Sequence, residues 1–392
     1  MYKYVFILGS NPGLSLAEIL SIVDVKEYNL YEEALIVESH LEIDIKKVIE
    51  RLGGTIKIAE YKAEIGYKDL KENIADLVYS EALNREKGKF NYALSLHGGV
   101  KINYKDLAIG VKNILRSKAV SSRWIKAQGK EKFLSSASVY HNRLLDKNGV
   151  EILLIASQKT IFVAKTIAVQ GFINYSKRDY GRPERDSLSG MIPPKLAKMM
   201  LNLSGAKEED RILDPFCGSG TIINESLLLG LKNIYAFDIS KKAVEDTKNN
   251  LKWLEKEFSQ DISKVNIKEL DVRKISQHLP SNSINIVCTE PYLGPQRGKI
   301  EAQTVKRDLD KLYSESLREL RKVLKTKARI VMIWPMFFPE KSPLYLSPSI
   351  EGYKKISYKH LADLNLLNKR YNLFYGRKGQ RLWREVIVLE KD

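Results

Sequence analysis

The stretch ILDPFCGSGTIINESLLLG, residues 212–230, predicts a strand ending at Asp214, a glycine-rich turn, and a helix ended by Gly230. Further strand candidates follow at 233–240, 265–272 and 283–290, with helical segments among them. Strands that alternate with helices are typical of a mostly parallel sheet with helices on both faces. The C-terminal half is therefore expected to be an α/β domain with a doubly wound sheet.

The composition is that of a folded, basic protein. The 392 residues are enough for two or three domains, and 44% hydrophobic residues exclude a disordered chain. The formal net charge of +17 favours acidic partners such as nucleic acids. The same excess could also reflect a proteome that is generally rich in lysine.

Several classes of protein are excluded by the sequence. Two cysteines, Cys217 and Cys288, cannot form a disulfide framework or a four-cysteine metal site, and the five histidines lack ligand spacing, so we expect no metal. The opening MYKYVFILGSNPG has too short an apolar core for a secretory signal, and no run is long enough for a membrane span. The protein is predicted to be cytoplasmic, with no membrane association.

The order of predicted elements suggests four regions. Strands and helices alternate through an N-terminal segment, 1–55, and a second region, 56–170. The polar segment 171–190 has no periodicity and is predicted to be a linker. The α/β domain then occupies 191–392. The elements predicted before the linker are strands at 4–9, 33–39, 89–98, 121–127, 149–157 and 160–170 and helices at 11–23, 43–54 and 105–117.

Four successive strands of the C-terminal domain end in an acid, namely Asp214, Asp238, Asp271 and Glu290. The carboxyl ends of parallel strands meet at one edge of the sheet, where ligands bind. Four acids at one edge would repel each other, so a ligand with hydroxyls, amines and positive charge is expected there. The turn Gly-Ser-Gly lacks the lysine of a nucleoside-triphosphate loop, and S-adenosylmethionine fits this pattern. An ordinary strand–helix turn is the alternative.

Three of the four acids receive a predicted role toward S-adenosylmethionine. Asp238 would accept from the ribose hydroxyls, Asp271 would lie beside the adenine, and Asp214 would attract the ammonium group. Small residues in the turn would leave room for the methionine moiety. The predicted cofactor-binding residues are Asp214, Phe216, Cys217, Gly218, Ser219, Gly220, Thr221, Asp238, Ile239, Asp271, Val272 and Glu290.

The segment TEPYLG, residues 289–294, is the candidate catalytic site. An exocyclic amino group is a weak nucleophile because its lone pair conjugates with the ring. An acceptor for its N–H groups would help it attack a methyl group, and Glu290 or a carbonyl held by Pro291 could be that acceptor. Tyr292 could stack on the base. A proline turn after a strand is the alternative.

These two stretches resemble motifs I and IV of the class I RNA amino-methyltransferases. YVFILGSNPGLSLAEIL (4–20), FLSSASVYHNRLL (133–145) and YGRKGQRLWREVIVLEK (375–391) extend the resemblance to the tRNA guanosine-10 N2-methyltransferase family over nearly the whole chain. The resemblance implies a ferredoxin-like segment at 1–55, a THUMP RNA-binding domain at 56–170 and the methyltransferase domain at 191–392. The family's motif IV usually has Asp-Pro-Pro-Tyr, where this chain has Glu-Pro-Tyr-Leu.

The resemblance implies tRNA as the substrate, methylated on the guanine 2-amino group of nucleotide 10. Another tRNA or ribosomal RNA site, or an RNA-binding protein without catalytic activity, stays open. We expect a monomer, and the need for a small activating protein partner is undetermined. Residues predicted to contact RNA are Lys112, Arg116, Arg123, Lys126, Lys130, Arg178 and Arg182.

Overall fold

The computed structural model describes residues 1–86, 88–100, 102–129, 131–185, 191–295, 301–338, 343–377, 379–380 and 382–392. Predicted residue Lys130 and the end of the predicted linker, 186–190, lie outside these ranges. The chain divides into an N-terminal unit, residues 1–12 and 22–172, and a C-terminal unit, residues 13–21 and 173–392.

The N-terminal unit is built on one mixed sheet. Its strand order is β2-β3-β1-β4-β8-β7-β5-β6, in which β5 runs parallel to β6 and β7 and the other pairs are antiparallel. The strands are β1 (Tyr2–Leu8), β2 (Glu27–Tyr31), β3 (Ala34–Ser39), β4 (Thr55–Gly66), β5 (Phe90–His97), β6 (Ser122–Trp124), β7 (Gly149–Ala156) and β8 (Thr160–Val169). The helices in this part of the sequence are α1 (Pro12–Ile22), α2 (Ile45–Arg51), α3 (Leu70–Leu83), α4 (Tyr104–Ser117) and α5 (Ser136–His141), and a 3₁₀ turn covers Tyr67–Asp69.

Strand β4 joins the predicted regions 1–55 and 56–170 in this sheet. It begins at Thr55 and pairs with β1 on one side and with β8 on the other. Helices α3 and α4 cover the half of the sheet that contains β5 and β7, and Ile74, Val78 and Val111 are buried in the shared core. The assignment of ferredoxin-like and THUMP domains stays a prediction.

The C-terminal unit alternates helices and strands up to β13. The helices are α6 (Phe172–Ser176), α7 (Pro194–Ser204), α8 (Thr221–Leu228), α9 (Lys241–Phe258) and α10 (Ala302–Val323), with a π-helical turn at Lys177–Gly181 and 3₁₀ turns at Val272–Gln277 and Lys359–Leu364. The strands are β9 (Arg211–Asp214), β10 (Asn233–Asp238), β11 (Val265–Glu269), β12 (Ile284–Thr289), β13 (Leu324–Phe337), β14 (Leu344–Tyr345), β15 (Tyr353–Lys355), β16 (Leu373–Tyr375) and β17 (Leu382–Lys391).

The second sheet has the order β11-β10-β9-β12-β13-β17-β15, with β14 and β16 paired at its antiparallel side. Strands β11, β10, β9, β12 and β13 are parallel, and β17 runs antiparallel to β13. The strand order reverses between β9 and β12. In sheets of this type, ligands bind in the crevice at that reversal.

Helices pack on both faces of this sheet. Helix α10 buries Leu309, Tyr313, Leu317 and Leu320 against one face, as its apolar spacing of three and four residues requires. Helix α8 contacts α7 and α9, and the three helices contact strands of the sheet, α7 at β12 and β13 and α8 and α9 at β10. The predicted α/β fold with a mostly parallel, doubly wound sheet is confirmed. In the part of the chain that the structure describes, every helix is too short or too polar to cross a lipid bilayer.

Candidate methyl-donor and catalytic site

A cavity of about 660 Å³ opens at the carboxyl ends of β9, β10 and β12. All four acids that end the predicted strands border this one cavity. The residues around it include Asp214, Phe216, Cys217, Gly218, Ser219, Thr221, Asp238, Ile239, Asp271, Val272, Glu290, Pro291 and Tyr292. The structure thus places the predicted donor-binding and catalytic residues together, with the exception of Gly220.

The two glycines of the turn have different roles. Gly218 has a φ of +52°, and a Cβ added there would meet nothing within 4 Å. Gly220 has a φ of +82°, and its Cβ would lie 3.0 Å from the Thr247 side chain of α9. Gly218 therefore leaves space beside the cavity, whereas Gly220 lets α8 start close to α9. The prediction that Gly220 makes room for the methionine moiety is wrong, because its absent side chain faces protein.

Backbone amides hold Asp238 in place. The N–H of Gly218 donates to Oδ2 at 3.0 Å, and the N–H of Ser240 donates to Oδ1 at 2.9 Å. Burial raises the pKa of Asp238, although these amides favour its charged form. Each carboxylate oxygen keeps a further lone pair for a ligand hydroxyl. The next residue, Ile239, is 64% exposed at the cavity, as an apolar surface for a planar ring would be.

Asp214 is the most deeply buried of the four acids, with 1% of its surface exposed. The Thr289 hydroxyl donates to its Oδ1 at 2.7 Å, and the N–H of Phe216 donates to the same oxygen at 3.2 Å. Burial raises the pKa of Asp214 to about 7, and the charges of Asp238 and Glu290 add to this effect. Near neutral pH this acid is therefore poised between its neutral and charged forms.

The two outer acids are neutralised by arginines. Arg273 Nη2 lies 2.7 Å from Asp271 Oδ2, and this bond lowers the pKa of Asp271. Arg384 of β17 contacts Glu290 through Nε at 2.6 Å and through Nη2 at 3.4 Å. Four acids can share one sheet edge because two are ion-paired and a third is partly protonated.

The residues after Glu290 differ in exposure. Pro291 is buried, while Tyr292 is 55% exposed at the cavity. The Tyr313 hydroxyl of α10 donates to the Tyr292 carbonyl at 2.9 Å and so fixes this backbone. The side chain of Tyr292 is left accessible to a planar ligand, whereas Leu293 packs inside.

Both cysteines are buried, and burial raises the pKa of the Cys217 and Cys288 thiols well above the usual value. Neither thiol is suited to act as a nucleophile. Among the residues that the structure describes, no group of three or more His, Cys, Asp or Glu side chains could hold a metal ion.

The predicted RNA contacts divide into two groups. Lys112 and Arg116 on α4, Arg123 on β6, and Lys126 are exposed on the N-terminal unit. The Lys126 ammonium group lies 5.0 Å from the ring centre of Trp124, which is half-buried against the core of that unit.

The structure corrects the prediction for Arg178 and Arg182. Arg178 is 7% exposed, and its Nε donates to Glu225 at 2.6 Å while its guanidinium covers the ring of Tyr175. Arg182 is 4% exposed, and its Nη1 donates to the Thr221 hydroxyl at 2.6 Å. Both guanidinium groups serve the interior of the C-terminal unit, because they pair with polar groups of α8.

Three functional neighbours had been given no predicted role of their own. Arg384 and Arg273 neutralise two acids, and Thr289 holds Asp214. Arg273 follows Asp271 by two residues and could have been found by its local spacing. Arg384 is 94 residues from Glu290, so only the pairing of β17 with β13 brings them together.

S-adenosylmethionine fits the residues of this cavity. Gly218 leaves open space, Asp238 has free acceptor capacity between two backbone donors, and Ile239 and Val272 offer apolar surface. Asp214 supplies a carboxylate that a bound ammonium group would stabilise in its charged form. The cavity is also within the size range of small-molecule sites.

Comparison with known proteins also indicates a methyltransferase. Residues 182–337 match the family model UPF0020, described as RMKL-like, methyltransferase domain. The chain is 27% identical to a tRNA (guanine(10)-N2)-dimethyltransferase of Pyrococcus abyssi (strain GE5 / Orsay). The alignment spans 337 residues, which are 86% of this chain and 89% of that protein. The chain is 35% identical to a probable tRNA (guanine(10)-N2)-dimethyltransferase of Methanothermococcus thermolithotrophicus. That alignment spans 111 residues, which are 27% of this chain and 67% of that protein.

The fold is similar to the crystal structure of TrmN from Thermus thermophilus, with a TM-score of 0.56, 16% identity and full coverage of both chains. That structure supports the α/β fold of this chain. The family model and the archaeal relatives identify the chemistry of the C-terminal unit. The chain belongs to the same family as this 35% identical archaeal relative, its residues 182–337 match an RMKL-like methyltransferase domain, and it is an enzyme of the methyltransferase class.

Proposed function

We propose that the protein transfers a methyl group from S-adenosylmethionine to the exocyclic N2 amino group of a guanosine in tRNA, with nucleotide 10 as the first site to test. The observation that carries this proposal is the single cavity shared by Asp214, Asp238, Glu290 and Tyr292. The names of the archaeal relatives supply the substrate class.

The donor half of the site is the loop between β9 and α8 together with the end of β10. S-adenosylmethionine, when bound, supplies an electrophilic methyl group. Asp238 binds the ribose hydroxyls through oxygens already oriented by two amides. Asp214 binds the ammonium group, and Ile239 and Val272 contact the adenine.

The acceptor half is the segment that follows β12. Tyr292 stacks on the guanine, and Glu290 accepts hydrogen bonds from the 2-amino group, which turns the nitrogen lone pair toward the methyl group. The new N–C bond forms as the S–C bond breaks, and the nitrogen becomes acidic during this step. Its proton then passes to Glu290 or to water.

We further propose that the N-terminal unit binds tRNA, with residues 56–170 as a THUMP domain. Lys112, Arg116, Arg123 and Lys126 are exposed there, and their positive charges suit a phosphate backbone. Guanosine-10 lies in a paired stem, so its base must leave the stack at a cost of roughly a few kcal/mol. We expect a cytoplasmic monomer, and a small protein partner could be tested by adding cell extract.

The experiment has two parts. Purified protein is incubated with tritiated S-adenosylmethionine and bulk tRNA, and nucleosides from tRNA of a deletion strain are analysed by mass spectrometry. We expect label in tRNA and loss of N2-methylguanosine or its dimethyl form at nucleotide 10 in the deletion strain. Folded protein that binds the donor but labels no RNA would refute the proposal in favour of a non-catalytic RNA-binding protein.

Variants separate the two halves of the site. Asp238→Ala removes the oriented acceptor and should weaken donor binding at least about tenfold, which calorimetry would measure. Glu290→Ala should leave donor affinity within about threefold and abolish turnover. Unchanged donor affinity in the Asp238 variant would overturn its assigned role.

A further inference from the structure

The catalytic segment is held by a residue from the far end of the chain. Arg384 of β17 places Nε 2.6 Å from Glu290 Oε1 and Nη2 3.4 Å from Oε2. Both side chains are largely buried. Two nitrogens of a planar guanidinium that face two oxygens define the plane of the carboxylate as well as its position.

The groups beside Glu290 are already engaged in other bonds. The Thr289 hydroxyl donates to Asp214, and the Tyr292 carbonyl accepts from the Tyr313 hydroxyl. A carboxylate offers about four lone-pair positions, and the two contacts with Arg384 use about two of them. Glu290 therefore keeps acceptor capacity for the two hydrogens of an amino group.

We propose that Arg384 is a positioning residue for methyl transfer, which holds the Glu290 carboxylate in the one orientation from which it accepts hydrogen bonds from the target amino group. The inference rests on the proposed function and assigns the role of the C-terminal strand in it. The pair joins the segment after β12 to β17 on the other side of β13, and an acid with a shorter side chain is expected to lose this reach. An aspartate at this position would be one methylene shorter.

The test compares Arg384→Gln and Arg384→Lys with a matched control, Arg329→Gln. Arg329 lies on β13 beside β17 and pairs with Glu390 at 3.5 Å, but it does not border the cavity. We expect Arg384→Gln to lower kcat by about 10- to 100-fold, with KM for tRNA and Kd for S-adenosylmethionine within about threefold of wild type. Arg384→Lys keeps the positive charge but loses the two-pronged contact of the guanidinium, so its kcat should lie between those of wild type and Arg384→Gln. Arg329→Gln should keep wild-type kcat.

Two more variants distinguish positioning from a merely structural role. Glu290→Asp should lower kcat about tenfold or more, because the shorter acid loses the fork. The double variant Glu290→Gln/Arg384→Gln removes both buried charges and should be no slower than Glu290→Gln alone, since the two residues act as a unit. Thermal unfolding and donor binding check that each variant is folded.

The outcomes separate the inference from the proposed function. A wild-type protein that labels no tRNA counts against the function. With an active wild type, full activity of Arg384→Gln or of Glu290→Asp overturns the inference. Additive losses in the double variant also overturn it. If Arg384→Gln is recovered unfolded, Arg384→Lys and the double variant decide by the same criteria.

Discussion

At the scale of single residues, Asp214 shows how burial sets chemistry. Its carboxyl group has two hydrogen-bond donors in Thr289 and Phe216 and no cation paired with it among the described residues. Burial therefore dominates and raises the pKa of Asp214 to about 7. A cationic ligand beside this group favours the charged form, so donor binding and the ionisation of Asp214 are linked.

We expect S-adenosylmethionine to bind about tenfold more weakly at pH 6 than at pH 8, because the charged form of Asp214 becomes scarce below its pKa. Calorimetry over this range measures the effect. Asp214→Asn should bind weakly at both pH values and lose the dependence. A wild-type affinity that is flat between pH 6 and pH 8 would contradict this role.

The same shift has a consequence for stability. A carboxyl group whose pKa is raised by folding destabilises the folded state once it ionises, so stability is lost as pH rises from about 4 to about 7. We compare the unfolding free energy of Asp214→Asn with that of wild type, both without ligand. This difference should favour the variant by about 2–3 kcal/mol more at pH 8 than at pH 5. Denaturant unfolding at the two pH values tests this, and an equal difference at both would contradict it.

At the scale of elements, the turn between β9 and α8 depends on two glycines in different ways. Gly220→Ala has to adopt a φ of +82° and would place its Cβ 3.0 Å from Thr247, so we expect a loss of about 2–3 kcal/mol in unfolding free energy. Gly218→Ala has open space around its Cβ and should lose only about 1 kcal/mol.

Gly220→Ala should cost more stability than Gly218→Ala, but Gly218→Ala should cost more affinity for the donor. The Cβ of Gly218→Ala enters space beside the cavity, so this variant should bind the donor more than about tenfold more weakly, although it loses little stability. Folded Gly220→Ala keeps the cavity wall and should keep its donor affinity. Thermal unfolding and calorimetry on both variants compare them. Equal losses of affinity would show that the turn acts only as a scaffold.

At the scale of the whole molecule, the exposed basic residues of α4 and β6 are predicted to carry tRNA affinity. Replacing Lys112, Arg116, Arg123 and Lys126 by alanine should reduce the slope of log Kd against log salt by about two to four. Replacing exposed Lys46 and Lys47 of α2 should leave this slope within about 0.5 of the wild-type value. Filter binding of tRNA at several salt concentrations measures both, and equal slopes for wild type and the fourfold variant would contradict the assignment.

Local sequence was informative wherever a segment is decided by its own pattern. Strands β9 to β12 and helix α8 were predicted because their apolar runs and helical spacing end at acids or glycines, whereas α6, which lies in the predicted linker, was not. In the N-terminal unit, β4 and α3 were missed. The spacing of Ile74, Val78 and Ala82 by four residues was a usable helix signal, and all three are buried. Strand β4 alternates charged and apolar residues and is held in the sheet by β1 and β8.

The sequence by itself determined the α/β class, the donor loop and the acids that line one sheet edge, because each depends on residues within a few positions. Only the tertiary structure decided which charged side chains are accessible to a ligand and which are paired inside the protein. It buried Arg178 and Arg182 against α8 and brought Arg384 to Glu290 across 94 residues. The physical reason is that ion pairing and desolvation depend on distance in space, which strand order sets and local sequence does not.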